Sequence, residues 1–237
     1  MTTLIRRGGA TALAVSALAV LAPAAQASSG AGLVASFPAA GFLVGPQAVV
    51  RAWPNGKARV ITKLDQFRSD YRQQVVMAVG GVRRGSDGRP WYHVRLQLRR
   101  NDTMGWIPAR AVSLAPVENR IVVQIGLRRV QIFHRNTLVY QAKVAVGAPG
   151  RETPTGHYYV TARFVPDDPF LGVFAVETSA YSKLTEWPGG GKVGIHGTSA
   201  PQLLGQAVSH GCVRVSNASA LMLKRYAVLG TPIEITA

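Results

Sequence analysis

Almost the whole chain is written in short apolar runs that turn formers cut off, and one stretch alone carries the spacing of a helix. The runs are Val49-Val50-Arg51, Val60-Ile61, Val75-Val76-Met77-Ala78-Val79, Trp91-Tyr92-His93-Val94-Arg95-Leu96 and Gly105-Trp106-Ile107-Pro108. Pro54-Asn55-Gly56, Gly85-Ser86-Asp87-Gly88 and Asn101-Asp102 punctuate them, which is how strands and their turns are encoded. Three more strands are expected over 121–125, 129–133 and 138–144, with Asn136 taking a left-handed turn conformation. Others follow at 157–164, 173–176, 193–196 and 233–235. The single helix starts at Ser216 or Asn217 as cap, presents Ala218, Leu221, Met222, Tyr226 and Leu229 as its apolar face, and stops at Gly230. A mainly β fold with one main helix is therefore expected.

The N-terminus reads differently. Arg6 and Arg7, an apolar run from Ala10 to Leu21 and Ala25-Gln26-Ala27 make residues 1–27 a secretory signal peptide, too short in its apolar part for a membrane span. Residues 28–41, rich in Ala, Gly and Ser, are expected to be a flexible lead-in. The first domain is expected over 42–115, and Gly105-Trp106-Ile107-Pro108-Ala109-Arg110-Ala111-Val112 resembles the close of bacterial SH3-like domains, small β barrels. Its tryptophans, Trp53, Trp91 and Trp106, are expected to fill the barrel core, with a ligand groove lined by them as the alternative. After the joint at 116–119, a second domain is expected over 118–237.

The formal charge is +16, or +14 once Arg6 and Arg7 are removed with the leader. Thirteen Lys and Arg against four Asp and Glu lie between Val44 and Pro116, and twelve against seven from Val117 onward. An exported basic surface seeks anionic wall polymers or lipid headgroups, since export takes the chain away from cellular nucleic acid. Contact with a membrane is expected only through an uncleaved leader.

Cys212 is the single cysteine, so it forms no bridge within the chain. It sits in Ser209-His210-Gly211-Cys212-Val213-Arg214, and a second Gly-flanked histidine, His196, lies sixteen positions upstream. A thiol attacks only as thiolate, so an imidazole beside it points to nucleophilic catalysis. In this scheme His196 takes the thiol proton, Gly197 removes bulk beside the base, and the amides of His210, Gly211 and Cys212 form an oxyanion hole. No acidic third member is evident. A small buried thiol is the bland alternative. A zinc site of His196, His210 and Cys212 is another, disfavoured because no acidic second layer or metal-type spacing accompanies it.

Ile195-His196-Gly197-Thr198 followed by Ser209 to Arg214 and Asn217 resembles the signature of the L,D-transpeptidase catalytic domain, the YkuD-type fold. Val146-Gly147 with Thr153-Pro154-Thr155-Gly156, and Gly230-Thr231-Pro232, extend the similarity over about 120–237. The resemblance implies Cys212 as nucleophile and His196 as general acid and base. It also implies Ser209, His210 and Gly211 as residues shaping the site, with Arg214 and Asn217 as substrate contacts. It implies peptidoglycan stem peptides as partners, a thioester intermediate, loss of D-Ala, a 3-3 cross-link, no metal and no cofactor. Water as acceptor would make the same site an L,D-carboxypeptidase, and a non-enzymatic wall-binding protein is the remaining alternative. The expected location is outside the cell membrane, in the wall or periplasmic space of a bacterium.

Overall fold

The computed structural model describes residues 32–186 and 190–237. The expected leader and the first residues of the lead-in lie outside the described residues. Among the described residues no helix is long and apolar enough to cross a membrane.

Seven strands make the first sheet: β1 (Ala39–Leu43), β2 (Gln47–Arg51), β3 (Val60–Asp65), β4 (Val75–Arg84), β5 (Pro90–Arg95), β6 (Met104–Pro108) and β7 (Val112–Pro116). Their order is β3-β2-β6-β5-β4-β1-β7, and a short 3-10 turn at Ala109–Ala111 joins β6 to β7. Alternate residues face inward, so Ala48 and Val50 of β2, Tyr92 and Val94 of β5 and Ile107 of β6 share one apolar cluster. Of the three tryptophans expected in this core, Trp91 is buried, whereas Trp53 is 63% exposed and Trp106 stacks on His93 with ring centroids 4.6 Å apart. Arg51, Trp106 and His93 are register partners across β2, β6 and β5, and Val50 and Ile107 beside them take the inward face.

Strand structure begins at Ala39, three residues before the expected start at Phe42. Ala39, Ala40 and Gly41 show no alternation that marks a strand, yet β1 is paired on both sides, by β4 and by β7. A Cβ on Gly41 would lie 1.9 Å from Ser113 O, so only glycine permits the approach of β7.

The second sheet contains β8 (Asn119–Gln124), β9 (Arg129–His134), β10 (Thr137–Lys143), β12 (Gly156–Phe164), β13 (Ala175–Tyr181), β14 (Lys192–His196), β16 (Val213–Arg214) and β17 (Pro232–Thr236). A small parallel pair, β11 (Val146–Gly147) and β15 (Ala207–Ser209), stands apart from it. The sheet order is β10-β9-β8-β17-β12-β13-β14-β16, so the closing strand of the chain is central, parallel to β8 and antiparallel to β12. The turn before β10 holds Arg135 and Asn136 at φ 46° and 67°.

Helix α1 (Asn217–Tyr226) follows β16, and its cap is Ser216, whose hydroxyl accepts from Ser219 N. Of the face expected, Met222, Tyr226 and Leu229 pack against the core, but the most deeply buried positions differ. Ser219, Ala220 and Leu223 are inside, while Ala218 and Leu221 are exposed. Two small residues, Ser219 and Ala220, allow close packing on the sheet, and Ser219 is further anchored by Tyr140 Oη at 3.0 Å.

The two sheets share a seam. Tyr159 of β12 is buried against Val75 and Met77 of β4, and a Cβ on Gly230 would lie 2.0 Å from Ala40 Cβ. Polar contacts cross it too: Arg68, from the β3–β4 connection, reaches Glu177 of β13.

Candidate active site

β14 aims the site. Val193 and Ile195 point into the core of the second sheet, so Lys192, Gly194 and His196 take the opposite face. There they line a cavity of about 310 Å3 together with Ser209, His210, Cys212, Arg214, Glu177, Asp168 and Phe170. Parallel pairing of β14 with β16 sets Ile195 opposite Val213 and His196 opposite Arg214, which brings Cys212, just before β16, beside Gly194.

Gly194 N donates to Cys212 Sγ at 3.3 Å. A Cβ on Gly194 would lie 4.0 Å from that sulfur and 3.9 Å from His196 Cδ2, so thiol and imidazole both border a residue without a side chain. Burial pushes the Cys212 thiol above its ordinary value, against the pull of the Gly194 amide and the Arg214 charge. His196 is 3% exposed, and burial lowers its pKa to about 4 despite hydrogen bonding to the Gly197 carbonyl. Its Nδ1 sits 2.6 Å from Gly197 O. A carbonyl only accepts, so the proton is on Nδ1 and Nε2 is the basic nitrogen. At neutral pH the pair therefore rests as thiol and neutral imidazole.

Ser209 is fully buried and ties the cysteine loop together. Its hydroxyl donates to Cys212 O at 2.6 Å and accepts from Gly211 N at 3.1 Å. Of the three amides expected in an oxyanion hole, that of Gly211 is thus already engaged. Gly211 turns at φ 114°, where a side chain would be strained. Behind Ser209, its carbonyl accepts from Ala148 N at 3.0 Å, and Gly147 N donates to Thr153 Oγ1 at 2.9 Å. The segments at 146–147 and 153–156 therefore brace the cysteine loop from outside. His210 Nε2 accepts from Arg151 Nη1, which puts the His210 proton on Nδ1, and its pKa is lowered by burial and by the Arg151 and Arg214 charges.

Arg214 is 6% exposed, lies 4.6 Å from the Phe170 ring centroid, and has its Nε without a partner. Among the described residues it makes no ion pair. Asn217 makes backbone contacts. Its Oδ1 accepts from Val173 N and Thr198 N, both at 3.2 Å, and it packs against Gly172 and Gly197. It holds the backbone around His196. Gly197 is needed there because a Cβ would fall 2.3 Å from Asn217 Oδ1.

Several cavity residues were not visible in the sequence. Gly194 lacked any motif signal. Glu177, Lys192, Asp168 and Phe170 come from strands and loops whose spacing to Cys212 is set only by the sheet order. Among the described residues no group of three or more His, Cys, Asp and Glu is disposed to hold a metal ion.

Comparison with known proteins follows the same segment. The YkuD family model, described as the L,D-transpeptidase catalytic domain, matches residues 118–235. A YkuD protein of Bacillus licheniformis is 33% identical over 118 residues, covering 49% of this chain and 65% of that protein. One from Bacillus subtilis is 32% identical over 116 residues, covering 48% and 64%. This chain thus spans slightly under two thirds of the length of the curated relatives it matches. An L,D-transpeptidase structure from Mycobacterium smegmatis is 16% identical with a TM-score of 0.46, over 70% of this chain and 91% of that one. Over residues 118–235 the chain is similar to the YkuD family, the L,D-transpeptidase catalytic domain, and the curated relatives align over about the same length.

Proposed function

We propose that the chain is an exported cysteine L,D-transpeptidase acting on peptidoglycan stem peptides. The observation that carries this is the Gly194 amide 3.3 Å from Cys212 Sγ, in a cavity that also holds a buried His196 with Nδ1 committed to Gly197 O. On substrate binding, His196 Nε2 takes the thiol proton as Sγ bonds to the carbonyl carbon of the third stem residue. The tetrahedral oxyanion is met by backbone amides around Cys212. Collapse expels D-Ala, whose amine takes the proton from His196, and leaves a thioester. An amine of a second stem, deprotonated by the same imidazole, then attacks the thioester carbonyl, and Sγ departs and regains its proton. The product is a 3-3 cross-link.

Arg214, cationic and without an ion pair among the described residues, binds a stem carboxylate in this scheme. The first half acts as an SH3-like module that positions the enzyme, its excess of arginine favouring anionic wall polymers. Intact-mass measurement with a defined tetrapeptide tests the chemistry. The expected species is protein plus stem minus D-Ala, absent in Cys212→Ala. Release of D-Ala with no cross-linked product would mark a carboxypeptidase instead. Neither adduct nor release from the reduced protein would overturn the assignment.

A further inference from the structure

The cavity has a second charged end that the scheme above does not use. Lys192, Gly194 and His196 share one face of β14, so Lys192 lies about 7 Å along the strand from Gly194, on the side away from His196. Gly194 marks the nucleophile, and His196 is paired with Arg214. Cys212 therefore sits between two cationic points.

The surroundings of Lys192 show which of its neighbours is available. Glu177 stands beside it, with Lys192 Nζ 3.4 Å from each carboxylate oxygen. That carboxylate is saturated by better donors. Arg68 Nη2 approaches its two oxygens at 2.8 and 3.1 Å, Thr161 Oγ1 donates at 2.8 Å and Gln97 Nε2 at 3.2 Å. Arg68 is 7% exposed and also binds Asp70, which Arg72 shares. Among the described residues, the ion pairs of Arg68, Arg72 and Lys192 are all with Asp70 and Glu177. One positive charge is left over, and Lys192, the cation of this cluster that lines the cavity, presents it there with N–H groups to spare. Arg68 and Gln97 both come from the first sheet's segment of chain, so that half of the molecule sets the charge at the cavity wall.

We propose that Lys192 is a specificity-determining residue that binds a carboxylate of the substrate on the side of Cys212 away from His196 and Arg214. Arg68 is a positioning residue that keeps this charge available by holding Glu177. The part concerning substrate rests on the transpeptidase reading, while the electrostatic part does not.

The test separates the two. In the full chain, Cys212 is alkylated with anionic iodoacetate and neutral iodoacetamide, and the ratio of rates reports the local field at the sulfur. Lys192→Met is expected to lower the ratio about 3-fold, the effect of one partly screened charge at this separation. Lys192→Arg keeps it, and Glu177→Gln raises it, opposite signs that a general loss of structure would not produce. Arg68→Met lowers it by leaving Glu177 to neutralise Lys192, and Arg68→Lys restores it. With stem peptide, Lys192→Met raises KM about 10-fold for the acidic peptide and little for the same peptide with its carboxylates amidated. A ratio unmoved by Lys192→Met, or equal losses with both peptides, overturns the proposal. If no stem peptide acylates the unaltered chain, the transpeptidase reading fails and the alkylation ratio alone decides on Lys192.

Discussion

Cys212 and His196 are both held in their uncharged forms, and this governs when the proton moves. With the thiol raised by burial and the imidazole lowered to about 4, a resting ion pair is disfavoured, so in the proposed reaction deprotonation accompanies attack. The acidic limb of kcat/KM is then expected near pH 4 rather than near 6.5, because His196 remains a competent base until it protonates. A limb near pH 6.5 in rapid acylation measurements would contradict this assignment. Ser209 gives a second residue-scale prediction. Ser209→Ala strips a buried donor from Cys212 O and a buried acceptor from Gly211 N, and should cost roughly 3 kcal/mol in urea unfolding together with a large fall in acylation rate.

At the scale of elements, the site depends on β14 and on the turn that leaves it. Gly197→Ala would drive a methyl group into Asn217 Oδ1, 2.3 Å away, and displace the carbonyl that fixes the His196 proton on Nδ1. Acylation should fall at least 10-fold while α1, capped independently by Ser216, keeps its circular dichroism. Asn217→Asp retains the acceptor for Val173 N and Thr198 N and should be milder than Asn217→Ala in the same assay. Most strands were legible because alternation and turn formers are local properties. β1 was not, since Ala-Ala-Gly has no contrast between its faces and becomes a strand only by being paired on both sides. Part of the α1 face, Ala218 and Leu221, was misread for a related reason, while Met222, Tyr226 and Leu229 pack as expected. Leu221 looks like a core residue by its chemistry, but the shape of the sheet beneath accepts Ser219 and Ala220 instead.

Over the whole molecule, burying a neutral imidazole links stability to pH. His196 has a folded pKa of about 4 against an ordinary 6.5, so between these values the unfolded chain binds the proton and the folded one does not. Stability from this group is complete above pH 6.5, declines as pH falls toward 4, and changes no further below it. The decline amounts to roughly 3 kcal/mol. Unfolding free energies at pH 7 and pH 4 should differ by about that much more in the parent than in His196→Gln, and equal differences would show that the imidazole is not buried neutral.

Cys212, His196 and the glycine turns around them were legible in the sequence alone, because a thiol, an imidazole and the backbone freedom around them are coded within two short segments. The strand alternation that sends Val193 and Ile195 inward was equally local. Tertiary structure alone brought Gly194 to the sulfur, through a parallel pairing that no spacing announces. It also placed Arg68 against Glu177, 109 positions away, across the seam of two sheets. Such contacts are fixed by how two apolar faces fit together, and that fit is a property of packed surfaces rather than of any one stretch of chain.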